Sequence, residues 1–366
     1  MESYEKVLIL DEYLESDPHA QIACDGCHGG NPKAKEMEAA HQGLLADPSF
    51  PDATKACGEC HGEITKTNSN NIHITLKGFQ TTIGMRTNPA HAISPAVKEG
   101  LNNHCYSCHS SCGQCHVSRP KSVDGGLVKG HRFMKTPPWD TNCTACHGSR
   151  IEAEFTGKNK GCPSDVHYAK ARMVCVACHT AAEMHGTETS PSVWHEVKNG
   201  ARCEKCHKDA VGPNAKLKSH QIHDKKVTCQ VCHSVRYKNC YQCHVGKDDK
   251  GLAFFKTKGS ELQFKIGLNP ILSERRPYKY VTVRHVPVSR ETFNFYEKNA
   301  LKNFSALPTW KLAVPHNIQR KTPQTASCNA CHGNKDLFLR ADDVAPEERE
   351  ANAKVIVPDT AIPPRR

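Results

Sequence analysis

Ten times in this 366-residue chain, two cysteines three positions apart are followed directly by a histidine. The pentads are Cys24–Cys27–His28, Cys57–Cys60–His61, Cys105–Cys108–His109, Cys112–Cys115–His116, Cys143–Cys146–His147, Cys175–Cys178–His179, Cys203–Cys206–His207, Cys229–Cys232–His233, Cys240–Cys243–His244 and Cys328–Cys331–His332. They use every cysteine except Cys162. Random ordering of 21 Cys and 23 His would give roughly 0.08 such pentads, so the spacing is not accidental. Two thiols and an adjoining imidazole in this order form the attachment signature of a c-type haem: the sulfurs bond the vinyl carbons and the imidazole takes one axial face of the iron. A zinc module pairs two Cys-x-x-Cys knuckles, or one knuckle with a histidine pair, and has no use for a histidine after every second cysteine. A disulfide framework has no use for it either. The residues therefore imply ten covalently attached haem c groups, with the ten pentad histidines as proximal ligands.

The opposite axial face needs ten further ligands if every iron is bis-histidine. Thirteen histidines lie outside the pentads, against only six methionines. Those beside pentads or in motif-like contexts are the expected distal ligands: His41, His73, His104, His131, His167, His185, His220, His223, His285 and His316. His19, His91 and His195 are the expected spares. His104, directly before Cys105, is poorly placed to turn back onto its own haem. His220 and His223 are three apart and share a face if Ser219–His223 is helical, so each can serve a different haem. Cys162, in KGCPSDVH, reads as a free loop thiol, with an iron ligand, a redox thiol or an intermolecular disulfide as alternatives.

The elements that hold these groups are expected to be short. About 37 residues per haem is too little chain for a separate protein core around each. With 37% hydrophobic and 6% aromatic residues, the polypeptide is a poor source of apolar core, and the porphyrins must supply much of the buried surface. The expected fold class is a multihaem cytochrome c, mostly coil with short α-helices and little β, around a haem-stacked core. The haem-free chain should be largely unfolded. Motif order divides the chain into a four-haem region over 1–125, a five-haem region over 126–250 and a C-terminal arm with one haem over 251–366. Residues 1–20 read as a short helix and a link, KAKEMEAAHQGLL as helical, HITLKGF and KYVTVRHVPV as strands, and 340–366 as an extended docking arm.

The formal charge of +11 suggests an anionic partner. Ten haems, each with about two propionates and one ferric charge, bring the sum to roughly +1, so the basic residues have propionates to pair with. No block of five like charges and no aromatic-basic platform points to nucleic acid. No apolar run approaches the length of a transmembrane helix. The segment MESYEKVLILDEYLESD is acidic with a four-residue apolar centre and does not read as a signal peptide. Haem attachment outside the cytoplasm places the chain in the periplasm or cell exterior, with any export signal lying outside the sequence given.

The pentad order, with its tight pairs CYSCHSSCGQCHV and CQVCHSVRYKNCYQCHV, resembles the multihaem c-type cytochromes. It is similar in flavour to relatives of octahaem tetrathionate reductase and hydroxylamine oxidoreductase, and to cytochromes that form extracellular filaments. The resemblance covers residues 19–332 by motif spacing. It implies stacked haems forming a continuous wire, and electron transfer rather than catalysis. Redox proteins or minerals would be the partners, with a head-to-tail homopolymer joined by histidine ligation between subunits as one version. Enzymes of that group leave one iron face open, sometimes with a lysine proximal ligand. This chain has no Cys-x-x-Cys-Lys. A reductase of oxyanion, sulfur or nitrogen compounds, with one open haem, is the competing expectation.

Overall fold

The computed structural model describes residue 9, residues 11–287 and residues 289–366. The chain forms two units interleaved along the sequence. The first takes the chain up to Phe79, then Cys105–Cys146 and Cys175–Ala201; the second takes Gln80–His104, His147–Val174 and Arg202–Arg366. Segments far apart in sequence share a unit.

The first unit is built of short helices and turns. Several pentads are themselves single helical turns, as at Cys24–His28, Cys112–His116 and Cys175–Cys178. One turn brings both thiols of a pentad to the same side of the chain. The longest run, Thr54–Asn68, includes the second pentad and breaks its helical geometry at His61 (φ −116°, ψ 34°). Asp11–Ser16 is helical, whereas residues 1–8 and 10 of the expected N-terminal helix lie outside the described residues. KAKEMEAAHQGLL yields only the turn Met37–Ala40. HITLKGF is not a strand: the Asn71 side chain accepts the His73 N–H and starts a helical turn, Ile72–Thr75, and Leu76 closes it at φ 49°. The side-chain cap overrides the β-branched composition. Among the described residues of this unit, only Leu76 and Val117 are buried hydrophobics.

The second unit has a conventional core. Its strands are β1 (Tyr237–Lys238), β2 (His244–Lys247), β3 (Ala253–Lys256), β4 (Leu262–Gln263), β5 (Lys265–Leu268), β6 (Tyr280–His285) and β7 (Trp310–Leu312). They make an antiparallel sheet β5-β6-β7 and two antiparallel pairs, β1-β4 and β2-β3. The expected strand in KYVTVRHVPV is β6, the central strand of that sheet. Val281 and Val283 on one face pack with Trp310, Leu339, Val344 and Val355. The other face is buried too: Thr282 Oγ1 donates to the Ala313 carbonyl at 3.0 Å, and Arg284 pairs with Glu154. The ninth pentad is no helix; Gln242 has φ 50° and the chain runs straight into β2.

Residues 340–366 are not an extended arm. Val355 joins the core with Val281, Val283 and Trp310, and Val357 and Ile362 join the one with Val231, Ile266 and Phe338. Backbone bonds tie the segment down, from Val357 N to Leu339 O and from Leu268 N to Val355 O, both 2.8 Å. The charged, proline-rich composition suggests extension, but Val355 and Val357 are buried in the core. Among the described residues no helix is long and apolar enough to cross a membrane.

Candidate metal centres

An imidazole nitrogen binds a first-row metal at about 2.0–2.1 Å, and its ring centroid lies about 1.1 Å further out, so two rings trans on one iron stand about 6.2 Å apart. Among the described residues, pairs of histidines with this separation recur. In the first unit they are His19–His61 at 6.1 Å, His28–His131 at 6.2 Å and His116–His185 at 6.1 Å. In the second they are His167–His207 at 6.0 Å, His220–His233 at 6.1 Å and His223–His332 at 6.1 Å. Every pair joins a pentad histidine to one outside the pentads. The gap is too wide for rings stacked in contact. Among the described residues no group of three or more His, Cys, Asp or Glu could hold a metal. The chain thus brings two imidazoles together per site at a spacing that fits a metal whose other four ligands come from a macrocycle.

Hydrogen bonds to the far side of the rings fix the tautomer. Nδ1 donates to a carbonyl at His28 (Leu45 O, 2.7 Å), His116 (Met134 O, 2.6 Å), His233 (Gln319 O, 3.0 Å), His332 (Pro364 O, 3.1 Å) and His223 (Ser219 O, 2.8 Å). A carbonyl only accepts, so the proton sits on Nδ1 and the Nε2 lone pair is left for a metal. Burial holds His185 and His220 below the ordinary imidazole value, and the facing His116 and His233 act in the same direction. Neutral rings are what iron ligation requires.

His19 and His167 have side-chain acceptors instead. Asp17 Oδ1 accepts both the backbone N–H (3.0 Å) and Nδ1 (2.8 Å) of His19. Asp165 Oδ1 does the same for His167, at 2.8 Å each. Asn71 Oδ1 repeats the arrangement at His73, at 2.8 and 3.1 Å. His73 is held low by burial, and a charge on His179 would lower it further; Glu183, in contrast, raises His179 through a 3.0 Å hydrogen bond. For Asp17, burial alone would raise the carboxyl, but N–H donors from Phe133 and His19 bring it below its ordinary value. These Asx residues, and His19 as a paired ring, escaped the sequence reading. The legible signal is Asp/Asn-x-His, which occurs at Asp17, Asn71 and Asp165, and also at Asn102 before His104.

Other histidines have the following surroundings. His147 closes the helix Thr144–His147, and the backbone N–H of His316 donates to Glu154 Oε2 at 2.9 Å. His109 meets Phe50 edge-on at 4.6 Å, and His244 opens β2. Among the described residues no imidazole faces either at the spacing of the six pairs. His41 is exposed with Nδ1 2.7 Å from the Met37 carbonyl. His91 is exposed at φ 59°, and His195 lies in the turn Trp194–Glu196. Two expected distal ligands have Nε2 engaged. His104 Nε2 lies 2.8 Å from the Tyr296 hydroxyl. His285 Nε2 lies 2.9 Å from Glu348, because the β6–β7 register sets it opposite Trp310, on which it stacks.

None of the 21 cysteines, all described, is in a disulfide. Thiols of different pentads meet: Cys108 hydrogen-bonds Cys146, Cys143 hydrogen-bonds Cys175, and Cys203 hydrogen-bonds Cys229. Attachment points of different pentads are therefore in direct contact within a unit. Cys162 donates to the Arg236 carbonyl at 3.6 Å, and burial raises its thiol.

No family model matches the chain, and no solved structure does. Curated relatives do. The chain is 25% identical over 206 residues to the C-type polyheme cytochrome OmcC of Geobacter sulfurreducens, covering 49% of this chain and 24% of the relative. It is 24% identical over 208 residues to the multiheme cytochrome MtrA of Shewanella baltica, covering 54% and 55%. It is 23% identical over 165 residues to the high-molecular-weight cytochrome c of Nitratidesulfovibrio vulgaris, covering 44% and 26%. The matched stretch spans about a quarter to about half of each relative's length.

Proposed function

We propose that this distant relative of multihaem c-type cytochromes carries electrons through ten covalently bound, mainly bis-histidine haems and catalyses no reaction of its own. The six histidine pairs at 6.0–6.2 Å carry the reading. Bound haem supplies reversible one-electron chemistry. The cysteines of each pentad would hold it, the paired imidazoles would bind its iron, and the carbonyl and carboxylate acceptors hold those rings in one tautomer. Cysteine contacts between pentads support close spacing between neighbouring groups. Six-coordinate iron has no open face for substrate, which favours a carrier over an enzyme. The role suits respiration in the periplasm or at the cell exterior, with protein or mineral acceptors.

His109 and His244 support a second reading. Neither faces an imidazole among the described residues, while exposed His41 has the Nδ1 hydrogen bond typical of the paired rings. His41 of a second copy completing one of these centres would give a head-to-tail polymer. If no copy supplies it, an open iron face remains for a reductase. Mass spectrometry of the native protein tests the haem count: ten haem masses above the 40.5 kDa chain support the proposal, and the bare chain removes it. A low-spin spectrum unaffected by added ligand supports the carrier. Electron microscopy distinguishes polymer from monomer.

A further inference from the structure

We propose that Asp17 and Asp165 are positioning residues that lower the reduction potential of the two haems served by the His19–His61 and His167–His207 pairs, one in each unit. The inference rests on the axial-ligand reading above. It starts from a turn that occurs three times with the same geometry and two different chemistries. At residues 17–19, 71–73 and 165–167, an Asx oxygen accepts both the backbone N–H and the ring Nδ1–H of the histidine two residues on. At two of them the oxygen belongs to a carboxylate; at residue 71 it belongs to a neutral amide.

The difference falls on the metal. A carboxylate on Nδ1–H draws the proton outward and makes Nε2 a stronger donor, which favours the ferric over the ferrous iron. A negative charge one ring away adds to the same preference, since the ferric centre has one more positive charge. Solvent does little to screen it: the Asp17 and Asp165 side chains are 5% and 4% exposed. The second oxygen of each is also held, by the Phe133 N–H at Asp17 and the Ile318 N–H at Asp165, both 2.8 Å. Three N–H donors around each carboxylate favour its charged form and lock its orientation. In the second unit the next residue's carbonyl, Gln319 O, accepts Nδ1 of His233, so one stretch of backbone orients ligands of two centres with opposite kinds of acceptor. Glu183 on His179 is a third carboxylate contact, but that ring is 36% exposed and its effect should be weaker.

Asn71 shows that an amide oxygen sustains the same turn, so Asp→Asn removes the charge while keeping both hydrogen bonds to the histidine. The amide nitrogen is a donor and replaces the oxygen that accepts the Phe133 or Ile318 N–H, so that one bond is lost. The test is a spectroelectrochemical titration of the holoprotein with Asp17→Asn and Asp165→Asn. Each variant should raise one haem by about tenfold in its reduced-to-oxidised ratio, about 59 mV for one electron. Low-spin spectra should barely move, which separates charge from loss of ligation, while thermal midpoints fall with the lost bond. Asp17→Ala, which also loses the turn, should alter the low-spin signature, and Asp17→Glu should keep the low potential. Unchanged potentials in both Asn variants, with low-spin signals intact, would overturn the inference and leave the carrier reading standing. Wild-type protein without bis-histidine signals would remove both.

Discussion

The helix Lys218–His223 makes the sharpest claim about ligation, because it presents two rings to two different partners. His220 faces His233 and His223 faces His332, each at 6.1 Å. Replacing His220 by Ala should therefore open one iron face on the Cys229–His233 haem, and His223→Ala should open one on the Cys328–His332 haem. With ten haems, each variant should convert about one tenth of the low-spin signal to a form that binds carbon monoxide or added imidazole. The double variant should convert about two tenths, because the two rings serve separate centres and their effects add. Added imidazole should restore the low-spin signal in all three. Absorption and electron paramagnetic resonance of the purified holoproteins provide the measurement. A double variant no different from either single one would mean that both rings serve one centre. No spectral change in any variant would mean that neither is a ligand. Either outcome defeats the reading of a 6 Å imidazole gap as a metal site.

Two further predictions concern the second unit. Burial, with Arg86 beside it, pushes the Lys311 ammonium down to about 8. Between about pH 8 and the ordinary lysine value the unfolded chain binds more protons than the folded one, so this group makes stability rise with pH across that window. K311M should flatten the rise in a series of denaturant titrations from pH 7.5 to 10; an unchanged slope would show that Lys311 is not the group responsible. Glu154, whose side chain is 0% exposed, pairs with Arg284 at 2.8 Å and accepts the His316 N–H. Glu154→Gln leaves a buried guanidinium unpaired and should cost about 3–5 kcal/mol in thermal or denaturant unfolding. A loss below about 1 kcal/mol would mean that water reaches Arg284.

The attachment points were legible because a covalent cofactor imposes a fixed local spacing, and Cys-x-x-Cys-His needs no tertiary context to be read. Distal ligands obey no such rule. They are set by where distant chain segments meet, so counting histidines gives a pool of candidates and not their pairing. His220 and His223 were readable because helical periodicity put them on one face. His19 was passed over, although Asp17-Pro18-His19 is the same local turn as Asp165-Val166-His167, and the turn holds the ring. His104 and His285 are candidates by neighbourhood, and hydrogen bonds to Tyr296 and Glu348 engage their Nε2 atoms. Those partners lie 192 and 63 residues away, beyond any local pattern. The sheet was half-visible: KYVTVRHVPV announced β6, but nothing in the charged, proline-rich C-terminal stretch showed that Val355 and Val357 would pack on the core.

The contrast between the two units leads to a last prediction. The second unit buries valines, leucines and aromatics around β5-β6-β7, including Val283, Leu339 and Phe338 at 0–2% exposure. Such burial contributes about 1.5–3 kcal/mol per large side chain, enough for a few strands to persist without help. The first unit buries only Leu76 and Val117 among its described hydrophobics, while Met37, Leu44, Leu45 and Phe50 stay exposed. Its own side chains cannot offset the backbone entropy of ordering so much coil. Either that unit does not fold, or porphyrin faces cover those side chains. The sequence-level expectation that the haem-free chain unfolds throughout is therefore sharpened: loss of order should be uneven. With all pentad cysteines replaced by alanine, amide exchange should be fast across the first unit and slowed at β5 and β6 in the second. Equal protection in both units would show that the first has a core of its own, and the haems would then be passengers in it rather than its interior.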